Sequence, residues 1–174
     1  MQVQFITPEQ RKQFITDCQE AFQKNYEDRF GKLNEKLLTD EVIEQGLDEP
    51  NFHTVVVMDQ GEMIGGAIIA LTNGNMVASI LLLYTKVEHQ NKGVATFLYH
   101  QLEASAKKAI MWETKSPYCD VRYIHLFVNK LKFFITQFDH ERYHPTGSYL
   151  FDDNIDPLLN GYFILRKYLN PTHT

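Results

Sequence analysis

The sequence predicts a single α/β (α+β) domain over residues 1–174, with a mixed central sheet of about six to seven strands flanked by helices. Three observations predict it. Residues 52–85 read as three strands in succession, joined by tight turns, which makes an antiparallel meander. Residues 76–114 read as strand, helix, strand, which implies a parallel pair with a right-handed crossover. Apolar residues on either side of this block switch between the helical and the strand period, with no repeat, low-complexity tract or linker between them.

The elements follow in order. Val3–Ile6 alternates as a short edge strand. Thr7-Pro8-Glu9-Gln10 is a helix start, with Thr as N-cap, Pro at the first helical position and Gln at the capping-box position. Phe14, Cys18, Ala21 and Phe22 then recur at helical spacing, and Gly31 punctuates. Thr39-Asp40 opens a second helix that ends near Gly46. Thr54–Met58 is a β-branched run, Asp59-Gln60-Gly61-Glu62 a hairpin turn, and Met63–Leu71 the return strand. Asn73-Gly74-Asn75 turns the chain into Met76–Thr85. Val94, Phe97, Leu98, Leu102 and Ala106 form one face of an amphipathic helix. Ala109–Thr114 is the next strand, which Ser116-Pro117 breaks. Asp120–Leu131 reads as a helix, Phe133–Tyr143 as a strand, residues 144–160 as a loop carrying Pro145 and Pro157, and Gly161–Leu169 as the last strand.

Composition removes several classes of function. The apolar share of 44%, with 12 Phe and 9 Tyr, supplies one core and argues against disorder. A net charge of −5 lacks the basic surplus of a duplex nucleic-acid binder, so no nucleic-acid partner is expected. The acidic surplus sits in the first fifty residues, where 11 acids face 6 bases. Two cysteines are too few for a disulfide framework and point to a reducing compartment. The longest apolar stretch, Met76–Tyr84, is far short of a membrane span, and Met1-Gln2-Val3-Gln4-Phe5 has no signal core. A cytoplasmic protein without a membrane partner is the expectation.

The stretch that carries chemistry is Leu83-Tyr84-Thr85-Lys86-Val87-Glu88-His89-Gln90-Asn91-Lys92-Gly93-Val94-Ala95-Thr96, which joins a buried strand to a helix. A helix start presents unpaired N–H groups and the positive end of the helix dipole. Gly93 and Ala95 let a ligand approach the backbone closely, and Lys92 adds a positive charge. These are the requirements of a phosphate or pyrophosphate socket. A glycine at such a junction also serves packing alone, and the residues by themselves leave both readings open. Neither Gly-x4-Gly-Lys-Ser/Thr nor Gly-x-Gly-x-x-Gly is present.

Gln90-x-x-Gly93-x-Ala95 resembles the acyl-CoA pyrophosphate signature, Gln/Arg-x-x-Gly-x-Gly/Ala, of the GNAT N-acetyltransferase superfamily. Leu83-Tyr84-Thr85-Lys86-Val87-Glu88 is similar to the family's strand end, Leu-x-Val-x-Pro-Glu. Phe127-Val128-Asn129-Lys130-Leu131-Lys132-Phe133 is similar to its later Phe-Tyr-x-Lys-Leu-Gly-Phe segment. The order of elements is also the family's, so the resemblance spans nearly the whole chain. It implies a sheet splayed at the end of Met76–Thr85, opening a V-shaped slot. It implies acetyl-CoA as cosubstrate, its pyrophosphate on the backbone N–H groups around Gln90, Asn91, Lys92, Gly93, Val94, Ala95 and Thr96. It implies that Leu83, Tyr84 and Thr85 pair with the pantetheine arm, and that the Thr85 N–H polarises the thioester carbonyl. The implied reaction is acetyl transfer to a primary amine of a small molecule or protein, by direct attack in a ternary complex. Dimers are common in the superfamily, so a homodimer is the protein partner the resemblance adds.

Three positions depart from the family pattern. The Tyr that often protonates the leaving thiolate aligns with Val128, and Tyr123 or Tyr118 are its substitutes here. The Asn that often precedes that helix aligns with Val121, and the base Glu of some members with Ser79. Glu113 is the candidate base, against the plainer reading of an ion-paired or solvated carboxylate. Val128 and Ser79 keep open a catalytically degenerate CoA-binding or regulatory module, and an unrelated phosphate-ligand binder is a third reading.

The other candidates read as structural. His140-x3-His144 lacks the helix that would bring both onto one turn, so no metal is expected. Cys119 has no His partner at a signature spacing. Trp112, Tyr123, Phe127, Phe133, Phe134 and Phe138 read as core. Asp28, Glu35, Asp40, Glu41 and Glu44 read as a solvated face, with steering of a cationic acceptor as the functional alternative. Asp152, Asp153 and Asp156 mark the 144–160 loop as a second possible specificity wall.

Overall fold

The computed structural model describes residues 1–140 and 161–169. The 144–160 loop with its three Asp residues and His144, and the end of the expected strand at Tyr143, therefore lie outside the described residues. Seven strands form one sheet in the order β1-β2-β3-β4-β5-β7-β6. They are β1 (Gln2–Phe5), β2 (Phe52–Asp59), β3 (Glu62–Thr72), β4 (Val77–Thr85), β5 (Met111–Pro117), β6 (Phe134–His140) and β7 (Gly161–Tyr168). The helices are α1 (Arg11–Phe30), α2 (Asp40–Asp48), α3 (Val94–Ser105) and α4 (Val121–Ile124), the last continuing as a π-helical segment, His125–Lys130. This is the mixed α/β architecture read from the sequence. No helix among the described residues is long and apolar enough to cross a membrane.

The chain divides into two compact units, Met1–Ile69 with Leu82–Ser105, and Ala70–Leu81 with Ala106–Thr174. In the first unit, β1 pairs antiparallel with β2. The Gln10 side chain accepts from the Thr7 N–H at 2.9 Å and fixes the entry to α1, as the capping motif predicts. Thr39 caps α2, its hydroxyl accepting from the Val42 N–H. Two adjacent glycines of β3 show how the layers stack. A Cβ on Gly65 would lie 3.3 Å from Val94 of α3, and one on Gly66 would lie 2.6 Å from Phe14 of α1. Consecutive strand residues face opposite ways, so α1 covers one face of β3 and α3 the other. Both faces are buried, which is why β3 reads as a near-continuous apolar run.

In the second unit, β4 and β5 run parallel, as the strand–helix–strand pattern predicts, in the register Val77↔Met111 to Ile80↔Thr114. Their ladder ends there, although β4 continues to Thr85 and β5 to Pro117. β7 pairs antiparallel with β5 on one side and β6 on the other, with a register shift between Ile135 and Gln137. Trp112, Phe127, Leu131, Phe133 and Leu165 are almost wholly buried here.

Two expectations are corrected and a third, the helix after Asp120, is refined. Ser116-Pro117 does not break β5: Pro117 is its final residue, where a missing N–H costs little, and Tyr118 donates onward to the Gly161 carbonyl at 2.9 Å. Phe134 and Phe138 are not core: β6 is the sheet edge, and they are 67% and 46% exposed. The helix after Asp120 is not regular, since its second half is π-helical.

Candidate functional site

The end of β4 is held by backbone geometry. The Lys86 N–H donates to the Ile64 carbonyl of β3 at 3.0 Å. N–H groups alternate sides along a strand, so that of Thr85, next to Lys86, points away from β3. Leu83 and Tyr84 are buried and Thr85 is half-buried. Gly65 makes the close approach possible, because a Cβ there would meet the Tyr84 carbonyl oxygen at 2.8 Å.

Beyond Thr85 the chain makes a short 3-10 turn, Val87–His89, and reaches α3 through Asn91 and Gly93, both at positive φ (62° and 84°). At Gly93 this conformation carries no Cβ penalty. The first bond of α3 runs from the Phe97 N–H to the Gly93 carbonyl at 2.9 Å. The N–H groups of Val94, Ala95 and Thr96 thus lie in the first turn, where the helix itself offers no acceptor. Asn91, Lys92 and Gly93 are exposed, whereas Val94 is buried and anchors the helix start against Gly65. The Gln90 amide nitrogen lies 3.5 Å from the Thr85 carbonyl. Glu62 fastens the loop from β3: its carboxylate accepts from Lys86 and lies 3.6 Å from His89. The Lys86 hydrogen bond lowers the Glu62 pKa, and Glu62 in turn raises that of Lys86. The result is an exposed loop that leads into a helix start with unpaired first-turn N–H groups, beside the Lys92 charge, an arrangement of the kind that suits an anion.

Behind the loop, on the α1 face, lies a group the sequence reading missed. Asp17 is 1% exposed. Its Oδ1 accepts from Gln13 at 2.7 Å, while Oδ2 has no hydrogen-bond partner among the described residues. Burial pushes its pKa up; the Gln13 hydrogen bond and the charge of Lys86 act the other way. The Tyr84 hydroxyl is likewise buried without a partner among the described residues, and burial holds its proton on well above the usual phenol range. Its ring packs edge-on against Phe14 at 5.1 Å. Only the spacing of Asp17 on the buried face with Phe14, Cys18 and Ala21 could have signalled this site.

The acidic N-terminal residues divide. Asp28 pairs with Lys24 at 2.8 Å and Asp40 with Lys36 at 2.6 Å, so both are neutralised by helical or near-helical neighbours. Asp28 and Glu35 line a groove of about 800 Å³ that follows α1 and reaches Val87.

The catalytic candidates of the second unit are placed as follows. Glu113 accepts from Arg166 Nε at 2.6 Å, directly across the β5–β7 ladder. Ser79 is its register neighbour on β4. Tyr123 sits in the first turn of α4, its N–H donating to Asp120 at 3.0 Å. Its hydroxyl lies 3.1 Å from that of Thr114, which donates to the Ile80 carbonyl at 2.9 Å. Burial raises the Tyr123 pKa, partly offset by the Thr114 hydrogen bond. Val128 is half-buried and Val121 is 51% exposed. Tyr118 stands edge-on to Phe138 at 6.3 Å. Cys18 and Cys119 are buried and form no disulfide. Among the described residues no three His, Cys, Asp or Glu side chains are grouped to hold a metal ion.

Comparisons with known proteins bear on the family and the fold. The model of the Acetyltransferase (GNAT) family matches residues 15–133, more than half of the chain. The uncharacterized protein YrkN of Bacillus subtilis (strain 168) is 27% identical over 154 residues, 85% of this chain and 81% of that one. The structure of the ribosomal-protein-S18-alanine N-acetyltransferase of Escherichia coli superposes with a TM-score of 0.70 at 11% identity, covering 99% of this chain and 97% of that one. A Bacillus subtilis acetyltransferase solved in complex with CoA gives a TM-score of 0.65 at 16% identity, covering 97% of both chains. With the family match falling across the β4–α3 loop and the fold shared end to end, the chain belongs to the GNAT family of acetyltransferases.

Proposed function

We propose that this chain transfers an acetyl group from acetyl-CoA to a primary amine. The observation that carries the reading is the start of α3, where Gly93 at positive φ opens the first-turn N–H groups to an anion. The pyrophosphate of CoA binds there, with Lys92 at the rim. A structurally similar acetyltransferase was solved with CoA, which supports the assignment. The arm pairs with the edge of β4 that points away from β3, and the Thr85 N–H donates to the thioester carbonyl.

The chemistry then proceeds in one complex. The neutral amine attacks the carbonyl carbon, and the C=O pair moves onto oxygen, where the Thr85 N–H stabilises it. The intermediate collapses with loss of the C–S bond, and sulfur leaves with the electron pair. Tyr123 gives its phenolic proton to that sulfur. The nitrogen, now an amide, has lost one proton, which returns through water to the phenolate. Products are the acetamide and CoA thiol. We assign Glu113 to the ion pair with Arg166 rather than to proton removal, because the guanidinium already engages its carboxylate. Water in the open site takes the amine's proton instead.

The test is acetyl-CoA with a panel of primary amines, following release of CoA thiol. Amine-dependent release supports transfer. Tight acetyl-CoA binding with no release from any amine supports the degenerate, binding-only module that Val128 and Ser79 leave open.

A further inference from the structure

We infer that Thr114 is a positioning residue, whose buried hydroxyl holds the Tyr123 phenol as a donor at the point where the β4–β5 ladder ends. The inference rests on the reading of Tyr123 as the acid that protonates the departing thiolate.

The argument is one of proton counting. A threonine hydroxyl has one proton to give and lone pairs to receive. Thr114 is 2% exposed, and its proton goes to the Ile80 carbonyl at 2.9 Å, an atom that only accepts. Toward Tyr123, at 3.1 Å, Thr114 is therefore left as an acceptor. The phenol must be the donor, so it rests protonated, which an acid requires. Ile80 and Thr114 are the last paired residues of the β4–β5 ladder, so the hydrogen-bonded chain runs from the end of that ladder to the phenol. Two further contacts fix the ring. The Tyr123 N–H is capped by Asp120, and the ring lies against Phe127 with centroids 4.5 Å apart. Tyr118, the other phenol the sequence offers, is 38% exposed beside the edge strand.

When the C–S bond breaks, the Tyr123 proton moves to sulfur and a phenolate remains. Rotation about the Thr114 Cβ–Oγ1 bond then turns its O–H from the Ile80 carbonyl to the phenolate oxygen. No new atom enters, and the rotation reverses when water reprotonates the phenol. A valine has the same shape and neither capability.

The experiment compares the parent with T114V, T114S and Y123F. Tyrosine labelled with carbon-13 at Cζ gives a resonance for Tyr123, identified as the one missing in Y123F. The expected result is that this resonance moves in T114V and returns in T114S. T114V should lower kcat by roughly 2- to 10-fold, the worth of one hydrogen bond, with the KM for acetyl-CoA unchanged and T114S restoring the rate. Turnover and a Tyr123 resonance in T114V equal to the parent's would overturn the role of Thr114 alone. A parent that binds acetyl-CoA yet releases no CoA thiol with any amine would overturn the transfer reading, and this role with it.

Discussion

Gly65→Ala tests whether the close approach of β3, β4 and α3 builds the anion socket. The added Cβ would sit 2.8 Å from the Tyr84 carbonyl oxygen, 3.3 Å from Val94 Cγ1 and 3.5 Å from Thr85 Cα. The tightest of these is to backbone, so no side-chain rotation relieves it. Overpacking of this kind costs about 1–3 kcal/mol. Loss of glycine's freedom in the unfolded chain returns about 0.4–1 kcal/mol. The balance is a destabilisation of about 1–2 kcal/mol, or a fall in Tm of roughly 2–8 °C for a chain of this size. The same strain pulls Lys86 from Ile64 and tilts the start of α3, so CoA affinity should fall by about tenfold, or 1.4 kcal/mol. Gly66→Ala is the control. Its Cβ would strike Phe14 at 2.6 Å and the Val55 carbonyl at 2.8 Å, on the α1 side. It should lower Tm comparably and leave CoA affinity near the parent's. Thermal melts and calorimetric titration with CoA read both effects. A Gly65→Ala protein that melts at or above the parent temperature would refute the packing argument, and equal loss of CoA affinity in both variants would refute the assignment of faces.

Two other predictions concern carboxylates. Asp17 has a folded-state pKa raised above 3.8 by burial, so the folded chain binds more protons than the unfolded chain between the two values. Its contribution is fully present below 3.8 and is lost as pH rises through the folded value; Asp17→Asn should therefore flatten the fall in stability over that window in urea titrations, and an unchanged slope would contradict the raised value. Glu113→Gln should reduce stability through loss of the Arg166 pair while leaving kcat nearly intact; a loss of about 10²-fold or more in kcat would return Glu113 to the role of base.

What the sequence made legible was local. The β4–loop–α3 passage is contiguous, and its strand end, glycine and helix start are each set by residues within a few positions. The meander was legible for the same reason, since short turns leave few alternatives for adjacent strands. Long-range register was not legible. Glu113 and Arg166 are 53 residues apart in sequence and meet only because β5 and β7 pair as they do. Thr114 gains its meaning from Ile80, 34 residues away. Strand alternation does not say whether a strand is central or at an edge, so Phe134 and Phe138 looked like core. The apolar spacing of Ile124, Phe127, Val128 and Leu131 suits an α-helix and a π-helical segment alike, so the widened turn after His125 left no mark in the pattern. Asp17 sat unnoticed because a polar residue on an apolar face is silent until the face is known to be closed.

The central claim is that CoA binds at the N-terminus of α3. Calorimetric titration with CoA and with acetyl-CoA, on the parent and on the double variant Gly93→Glu, Ala95→Glu, tests it most directly. The account predicts saturable binding by the parent and none by a folded double variant, whose two carboxylates would occupy and repel from the socket. A folded parent that binds neither ligand would contradict the claim, and so would a double variant that binds both as the parent does.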